Sequence, residues 1–183
     1  MSNTAAPTAY TRTAVALHWL IAGLFACGFA LGAVMTDLAA SPQKVKLFSW
    51  HKWIGITVLG LAALRGLWRL THTAPELLPA PAWQQLAARF THALLYTLMF
   101  VTPLAGWTFS SASGYPVVYL GLWQLPDLVA KNKLLAPSLA DMHQTLAWLM
   151  LIVVLAHAAA ALKHHFLDRD ETLRRMLRFR RPI

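Results

Sequence analysis

The sequence predicts an all-α membrane protein, a single bundle of four transmembrane helices, and three observations support this prediction. The first is composition: 57% of the 183 residues are hydrophobic and only 13% are charged, far more apolar than a soluble domain. The second is that the apolar residues form four stretches, each near the ~20 residues that a helix needs to cross a bilayer. The third is that His143 and His157 stand fourteen residues apart in the last stretch, a spacing that places both on one face of a single helix.

The predicted membrane-spanning helices are separated by polar or proline-containing segments. Their approximate bounds are residues 14–36, 50–71, 92–112 and 141–163. The first stretch exceeds the apolar part of an ordinary signal peptide, and Arg12 is the only basic residue before it, so we interpret it as a permanent helix. Residues 113–137 contain three prolines and are predicted to lie at the membrane surface instead of crossing it. The whole chain, 1–183, is predicted to be one transmembrane domain with a basic C-terminal tail at 164–183.

The cysteine content excludes several kinds of site. Cys27 is the only cysteine and lies within the first apolar stretch. A single cysteine cannot form an internal disulfide, a cysteine-based zinc site or an iron–sulfur cluster. Covalent attachment of a c-type haem is also excluded, because the sequence has no CxxCH motif.

The distribution of lysine and arginine predicts the orientation of the bundle. Four crossings place both chain ends on one side. Eleven basic residues fall on that side, namely Arg12, Arg65, Arg69, Arg89, Lys163, Arg169, Arg174, Arg175, Arg178, Arg180 and Arg181. Five fall on the other: Lys44, Lys46, Lys52, Lys131 and Lys133. By the positive-inside rule both termini are predicted to be cytoplasmic. An Arg-rich tail beside a membrane is typical of a topology signal or an anionic-lipid contact, so no nucleic-acid partner is expected.

The histidines can be sorted by depth in the membrane. Fourteen residues of helix advance about 21 Å and return to within about 40° of the same face, so His143 and His157 point the same way at two depths. Because successive helices run in opposite directions, His18 near the start of the first helix lies level with His157. His51, near the start of the second, lies level with His143. The sequence therefore predicts two tiers of paired imidazoles.

Two paired-imidazole sites inside a four-helix bundle are what two b-type haems require. Helix bundles build cofactor sites from inward-facing side chains, and imidazole is a regular axial ligand of haem iron. With both axial positions filled, the iron is suited to electron transfer. The competing interpretation is that each interfacial histidine is a headgroup contact. Zinc or copper is disfavoured, since either metal needs its ligands clustered at one level.

Other residues on the same helix faces are candidates for contact with the haems. Gly28, Gly32 and Gly55 would leave room for a porphyrin edge, although close helix packing explains them equally well. Arg65 lies fourteen residues after His51, hence near the cytoplasmic tier. There it is expected to pair with a haem propionate, the alternative being a charge that sets topology.

A site for quinone is predicted between the cytoplasmic tier and the water. His164 follows His157 by seven residues on the same face, and His92 begins the third helix. Reduction of a quinone headgroup consumes protons, and histidine can supply protons near neutral pH. We therefore expect His92 and His164 to line a quinone pocket.

The pattern of these residues resembles the bacterial cytochrome b561 family, a four-helix group with two haems b that includes a superoxide oxidase. The residues that carry the resemblance are His18-Trp19-Leu20, His51 with Gly55, Arg65 followed by Arg69, His143, the segment from His157 to His165, and Thr172-Leu173-Arg174-Arg175-Met176. The resemblance implies non-covalent haem b at both sites and residence in the bacterial inner membrane. It also implies electron exchange with ubiquinone, with superoxide as a donor on the external side.

The leading hypothesis is therefore an oxidoreductase that oxidises superoxide at the periplasmic face and reduces ubiquinone. Electrons would enter at the His51/His143 tier and leave from the His18/His157 tier. The five external lysines outnumber Asp37, Asp127 and Asp141 and would steer an anion inward, although lipid headgroups explain them as well. One rival is a cytochrome b subunit that passes electrons between quinone and a partner dehydrogenase or hydrogenase. Another is a membrane scaffold with structural histidines.

Overall fold

The structure, a computed structural model, describes residues 9–177. These residues form five helices and one short β-hairpin: α1 Arg12–Asp37, α2 Pro42–Thr71, α3 Ala82–Ser113, β1 Val118–Tyr119, β2 Trp123–Gln124, α4 Ala136–Phe166 and α5 Arg174–Leu177. Helices α1 to α4 are each long and apolar enough to cross a membrane. The predicted all-α fold with four membrane-crossing helices is confirmed.

All four long helices begin earlier than predicted, and the differences are largest for α2 and α3. Helix α2 begins at Pro42 instead of residue 50, because the Ser41 side chain caps it by accepting a hydrogen bond from the Lys44 amide at 3.2 Å. Proline suits the first helical position, where no hydrogen-bond donor is needed. Helix α3 begins at Ala82 instead of residue 92, with the Pro81 carbonyl accepting from the Gln84 and Gln85 amides. Polar residues interrupt the apolar ones in both extensions, so a search for apolar stretches misses them.

The long helices pack as two pairs around an apolar centre. Helix α1 packs along α2, α3 packs along α4, and α2 and α3 join the two pairs. The buried centre consists of Ile21, Val58, Ala62, Leu98, Met99 and Met150. Met150 lies midway between His143 and His157 on α4, so this apolar layer separates the two levels of histidine.

One end of the bundle, here called the hairpin end, is covered by residues 115–135. The antiparallel strands β1 and β2 pair there. The Trp53 indole donates to the Val118 carbonyl at 2.7 Å, and the Lys52 ammonium donates to the Tyr115 carbonyl at 3.0 Å. As predicted, this proline-containing segment forms no fifth crossing. It instead ties the start of α2 to the end of α3.

The opposite end, here called the termini end, holds the start of α1 and the end of α4. Beyond α4, residues 167–177 turn back across it and are called the strap. The Trp19 indole donates to the Met176 carbonyl at 2.6 Å, and Arg175 donates to the Glu76 carbonyl in the α2–α3 linker at 2.9 Å. The predicted basic tail is thus partly folded, while its remaining arginines, Arg178, Arg180 and Arg181, lie outside the described residues.

Candidate haem sites

At the hairpin end the structure brings together His51 of α2 and His143 of α4. Their ring centres are 5.9 Å apart and their planes are inclined at 85°. Each Nδ1 faces a backbone carbonyl, His51 that of Gly28 at 2.9 Å and His143 that of Thr102 at 3.0 Å. A carbonyl can only accept, so both Nδ1 atoms carry the proton and each Nε2 keeps its lone pair for a metal.

Glycines set how closely these two rings approach the neighbouring helices. A Cβ atom at Gly32 would lie 3.3 Å from Cε1 of His51, and one at Gly106 would lie 2.9 Å from Cε1 of His143. The His143 ring therefore packs directly on the α3 backbone. Gly55 meets only a Pro103 Cβ, at 4.0 Å, an ordinary packing distance that fits its helix-packing interpretation.

A crevice with a cavity volume of about 80 Å³ lies beside His51 and His143, between the four long helices. Its walls are mainly apolar and include Phe29, Met99 and Met150. The Thr102 hydroxyl is buried there without a hydrogen-bond partner among residues 9–177. Buried hydroxyls normally have a partner, so this site suits a flat apolar group with a polar edge.

At the termini end the structure brings together His18 of α1 and His157 of α4. Their ring centres are 6.2 Å apart, with planes inclined at 67°. His92 of α3 lies on another side of His157, with ring centres 5.4 Å apart. Three imidazoles therefore lie together here, of which the sequence predicts two as a pair and the third as a neighbour.

The spacing of both pairs fits two axial ligands of one iron. An imidazole nitrogen binds a first-row metal at roughly 2 Å and lies about 1.1 Å from its ring centre, so ligands on opposite sides have ring centres roughly 6 Å apart. The distances of 5.9 and 6.2 Å match this value. The His92–His157 distance of 5.4 Å is shorter.

Arg65 lies at the termini end and is held by two other helices. Its Nη1 donates to the Ala14 carbonyl of α1 at 2.6 Å, and its Nε donates to the Tyr96 hydroxyl of α3 at 3.2 Å. Together with Arg69 it lines a small cavity of about 30 Å³ between the start of α1 and the end of α2. The guanidinium is therefore fixed near His18, at the level that the helical spacing predicts.

His164, the other predicted quinone-site residue, has different neighbours from His92. Its Nδ1 lies 2.9 Å from Oδ2 of Asp168 and 2.9 Å from Oδ2 of Asp170, both in the strap. Burial raises the pKa of Asp170, but hydrogen bonds from Thr172 and the electrostatic effect of the nearby His164 outweigh it, so this pKa lies below its ordinary value. Within the described chain no hydrogen bond or ring contact joins His164 to His92.

Comparison with known proteins decides the family. The family described as prokaryotic cytochrome b561 matches residues 9–179. The chain belongs to this family. It is 36% identical over 179 residues to cytochrome b561 homolog 2 of Escherichia coli (strain K12), covering 97% of this chain and 95% of that protein. It is also 28% identical over 169 residues to the probable superoxide oxidase CybB of Yersinia pestis, covering 92% and 95%.

Family membership confirms the resemblance seen in the sequence. A cytochrome b561 is a membrane protein that binds haem b and transfers electrons, and the four apolar helices agree with residence in a membrane. The family thus supplies the kind of cofactor, while the histidine geometry of this chain indicates where the cofactor would bind.

Some groups at these sites are not identifiable from the sequence, and others carry a signal that sequence reasoning misses. The carbonyls of Gly28 and Thr102 are invisible to it, because any residue carries one. Gly106 lies four residues after Thr102 and hence on the same face of α3, but that spacing alone does not reveal its contact with His143. The carboxylates of Asp168 and Asp170, spaced four and six residues after His164, are a recognisable signal of a polar cluster.

Substituting Gly106 with alanine is expected to lower haem occupancy at the hairpin end. The added methyl would displace the His143 ring and break its hydrogen bond to Thr102, an overpacking effect of about 1–3 kcal/mol. The measurement is haem per chain in the purified variant, from absorbance after pyridine treatment. Gly60→Ala is the matched control, since nothing lies within 4 Å of a Cβ there. Full occupancy and an unchanged spectrum in Gly106→Ala would contradict the close ring-to-backbone contact.

Proposed function

We propose that His51 with His143, and His18 with His157, each bind one haem b. The observation that carries this proposal is the pair of ring separations, 5.9 and 6.2 Å, in a chain of a haem b family. When bound, each haem would accept and release single electrons. The carbonyls of Gly28 and Thr102 fix the orientation of His51 and His143. The apolar layer around Met150 excludes water between the two pairs.

The proposed reaction oxidises superoxide at the hairpin end and reduces ubiquinone at the termini end. Two superoxide anions each lose one electron and become dioxygen, and one ubiquinone gains the two electrons and two protons. One relative, from Yersinia pestis, bears the name probable superoxide oxidase, which supports this choice of donor. The hairpin end is placed at the periplasm and both termini in the cytoplasm of a bacterial inner membrane, because basic residues favour the cytoplasmic side.

Cations at the hairpin end support an anionic donor. The Lys44 ammonium donates to the carbonyls of Thr36 and Leu38, and that of Lys52 donates to the carbonyl of Tyr115. Bonds to carbonyls hold an ammonium in place without neutralising its charge. In the described range, neither lysine forms a salt bridge with a carboxylate. The resulting positive potential would raise the local concentration of superoxide.

Groups at the termini end support a quinone acceptor. His92 and His164 are proposed to contact the quinone headgroup and to donate the two protons that its reduction requires. His92 lies directly beside His157, so a headgroup on His92 would be close to the second haem site. Arg65 is proposed to bind a haem propionate, for which its fixed guanidinium is suited.

The test is stopped-flow addition of superoxide to the purified, oxidised holoprotein with ubiquinone present. Haem reduction followed by quinol formation is expected, at a rate that falls as ionic strength rises, because attraction between exposed charges is screened by salt. A sample with superoxide dismutase added first is the control. Haem reduction no faster than in that control would remove the enzyme assignment and favour a subunit that receives electrons from a partner dehydrogenase or hydrogenase.

A further inference from the structure

His164 lies between two carboxylates at the water-exposed edge of the bundle. Its Nδ1 is 2.9 Å from Oδ2 of Asp168 and equally 2.9 Å from Oδ2 of Asp170. Neither contact has the angle of a hydrogen bond, and among residues 9–177 this buried nitrogen has no other partner. One imidazole nitrogen thus faces two acceptors of a proton and is firmly bonded to neither.

The three side chains differ in their access to water. The exposed fraction of the side chain is 35% for Asp168, 25% for Asp170 and 23% for His164. His164 also lies two helical turns beyond His157 on the same face of α4, about 10.5 Å along the axis. With Nδ1 directed at the carboxylates, Nε2 is on the opposite edge of the ring. Along the chain, His164 thus lies between His157 and the two strap carboxylates.

We propose that Asp168 and Asp170 are the entry point for the protons used at the termini end, passing them to His164 for transfer to the quinone. This proposal rests on the quinone reduction proposed above and identifies the residues that supply its protons. A proton from water binds a carboxylate and moves to Nδ1 of His164, and the proton on Nε2 moves to a quinone oxygen. This transfer supplies one of the two protons of the quinol and His92 donates the other, so with the two electrons both charge and protons balance.

The charges around the cluster are consistent with this role. Lys163 donates to Oδ2 of Asp168 at 2.7 Å, so this oxygen lies between an ammonium group and the His164 ring. Asp170 accepts from the Thr172 amide at 2.8 Å through its other oxygen, Oδ1, leaving Oδ2 for His164. Among the other strap charges, Arg174 pairs with Glu171 at 2.7 Å, and Arg175 donates to the linker carbonyl of Glu76.

A purely structural clamp is the alternative, since the same contacts fasten the strap to α4. The two roles differ in how they respond to proton supply. A clamp that is weakened slows the reaction equally at every pH, whereas a blocked proton entry is relieved by abundant protons or by a small diffusible acid. Asp170→Asn separates them, because asparagine retains an oxygen to accept from Thr172 but cannot carry a proton.

The test measures the quinone half of the reaction alone, on the full-length protein with its haems bound. The protein is reduced with dithionite, excess reductant is removed, and haem reoxidation by a short-chain ubiquinone is followed by stopped-flow. Asp170→Asn is expected to slow reoxidation roughly 10- to 100-fold at pH 8 and much less at pH 6, with recovery on adding imidazole. Glu171→Gln, which alters a strap carboxylate paired with Arg174, is expected to match the wild type.

Three results would overturn the proposal. An Asp170→Asn rate equal to that of the wild type at pH 8 excludes the carboxylate as a proton carrier. If Asp170→Asn slows reoxidation equally at all pH values and imidazole does not restore the rate, the cluster is a structural clamp. If ubiquinone fails to reoxidise the haems of the wild type, the quinone assignment itself is wrong. The wild-type measurement alone reveals this failure, so it is distinguishable from a failure of the proton-entry proposal.

Discussion

Replacing His143 with alanine is expected to reduce the haem b content from about two to about one per chain. His143 would supply one of two axial ligands at the hairpin end, and its loss also leaves the Thr102 carbonyl without its side-chain donor. The termini-end pair, His18 and His157, is separated from it by the apolar layer around Met150 and should keep its haem. Pyridine haemochrome absorbance per mole of protein gives the count.

His165→Ala is the matched control for this experiment. His165 is on the same helix, but its ring contacts Phe166, with ring centres 4.8 Å apart, and no second histidine. It should therefore retain the full haem content. Helix content is measured by circular dichroism in both variants. Retention of both haems in a folded His143→Ala protein contradicts the proposed pairing.

The second large effect is expected from His157→Ala. His157 contacts both His18 and His92, so its loss should abolish the haem site at the termini end and disturb the neighbouring quinone contact. Superoxide should still reduce the haem at the hairpin end, while quinol formation falls by more than about 100-fold, because the remaining haem site lies about 21 Å along α4 from the level of His157.

Single-turnover kinetics separate these two steps. Haem reduction is read from the visible spectrum within one mixing experiment, and quinol is measured in the same sample by ultraviolet absorbance. His165→Ala serves again as the control and should show both steps. Quinol formation at the wild-type rate in His157→Ala would show that quinone accepts electrons at the hairpin end, contrary to the proposed direction.

The fold and the histidine tiers are predictable from the sequence for a specific physical reason. In a membrane bundle each helix crosses the whole bilayer, and successive helices run in opposite directions. Position in the sequence therefore converts directly to depth in the membrane. That conversion pairs His18 with His157 and His51 with His143, and the same rings lie together in the folded chain. Family membership agrees with the haem cofactor.

The parts that cannot be predicted depend on contacts between distant segments. Nothing local to Trp19 indicates that its indole bonds Met176, 157 residues later. The packing of His143 on Gly106 likewise requires knowing which faces of α3 and α4 meet. The early start of α2 has a local signal, Ser41-Pro42, but a search for apolar stretches gives such caps no weight.

The central claim is that four imidazoles bind two haems b, one pair at each end of the bundle. Its most direct test is pyridine haemochrome analysis of the purified wild-type protein, with protein concentration from amino-acid analysis. The account predicts about two haems b per chain. A reproducible value of about one or fewer, in protein that is fully folded and was produced with excess haem, would contradict it.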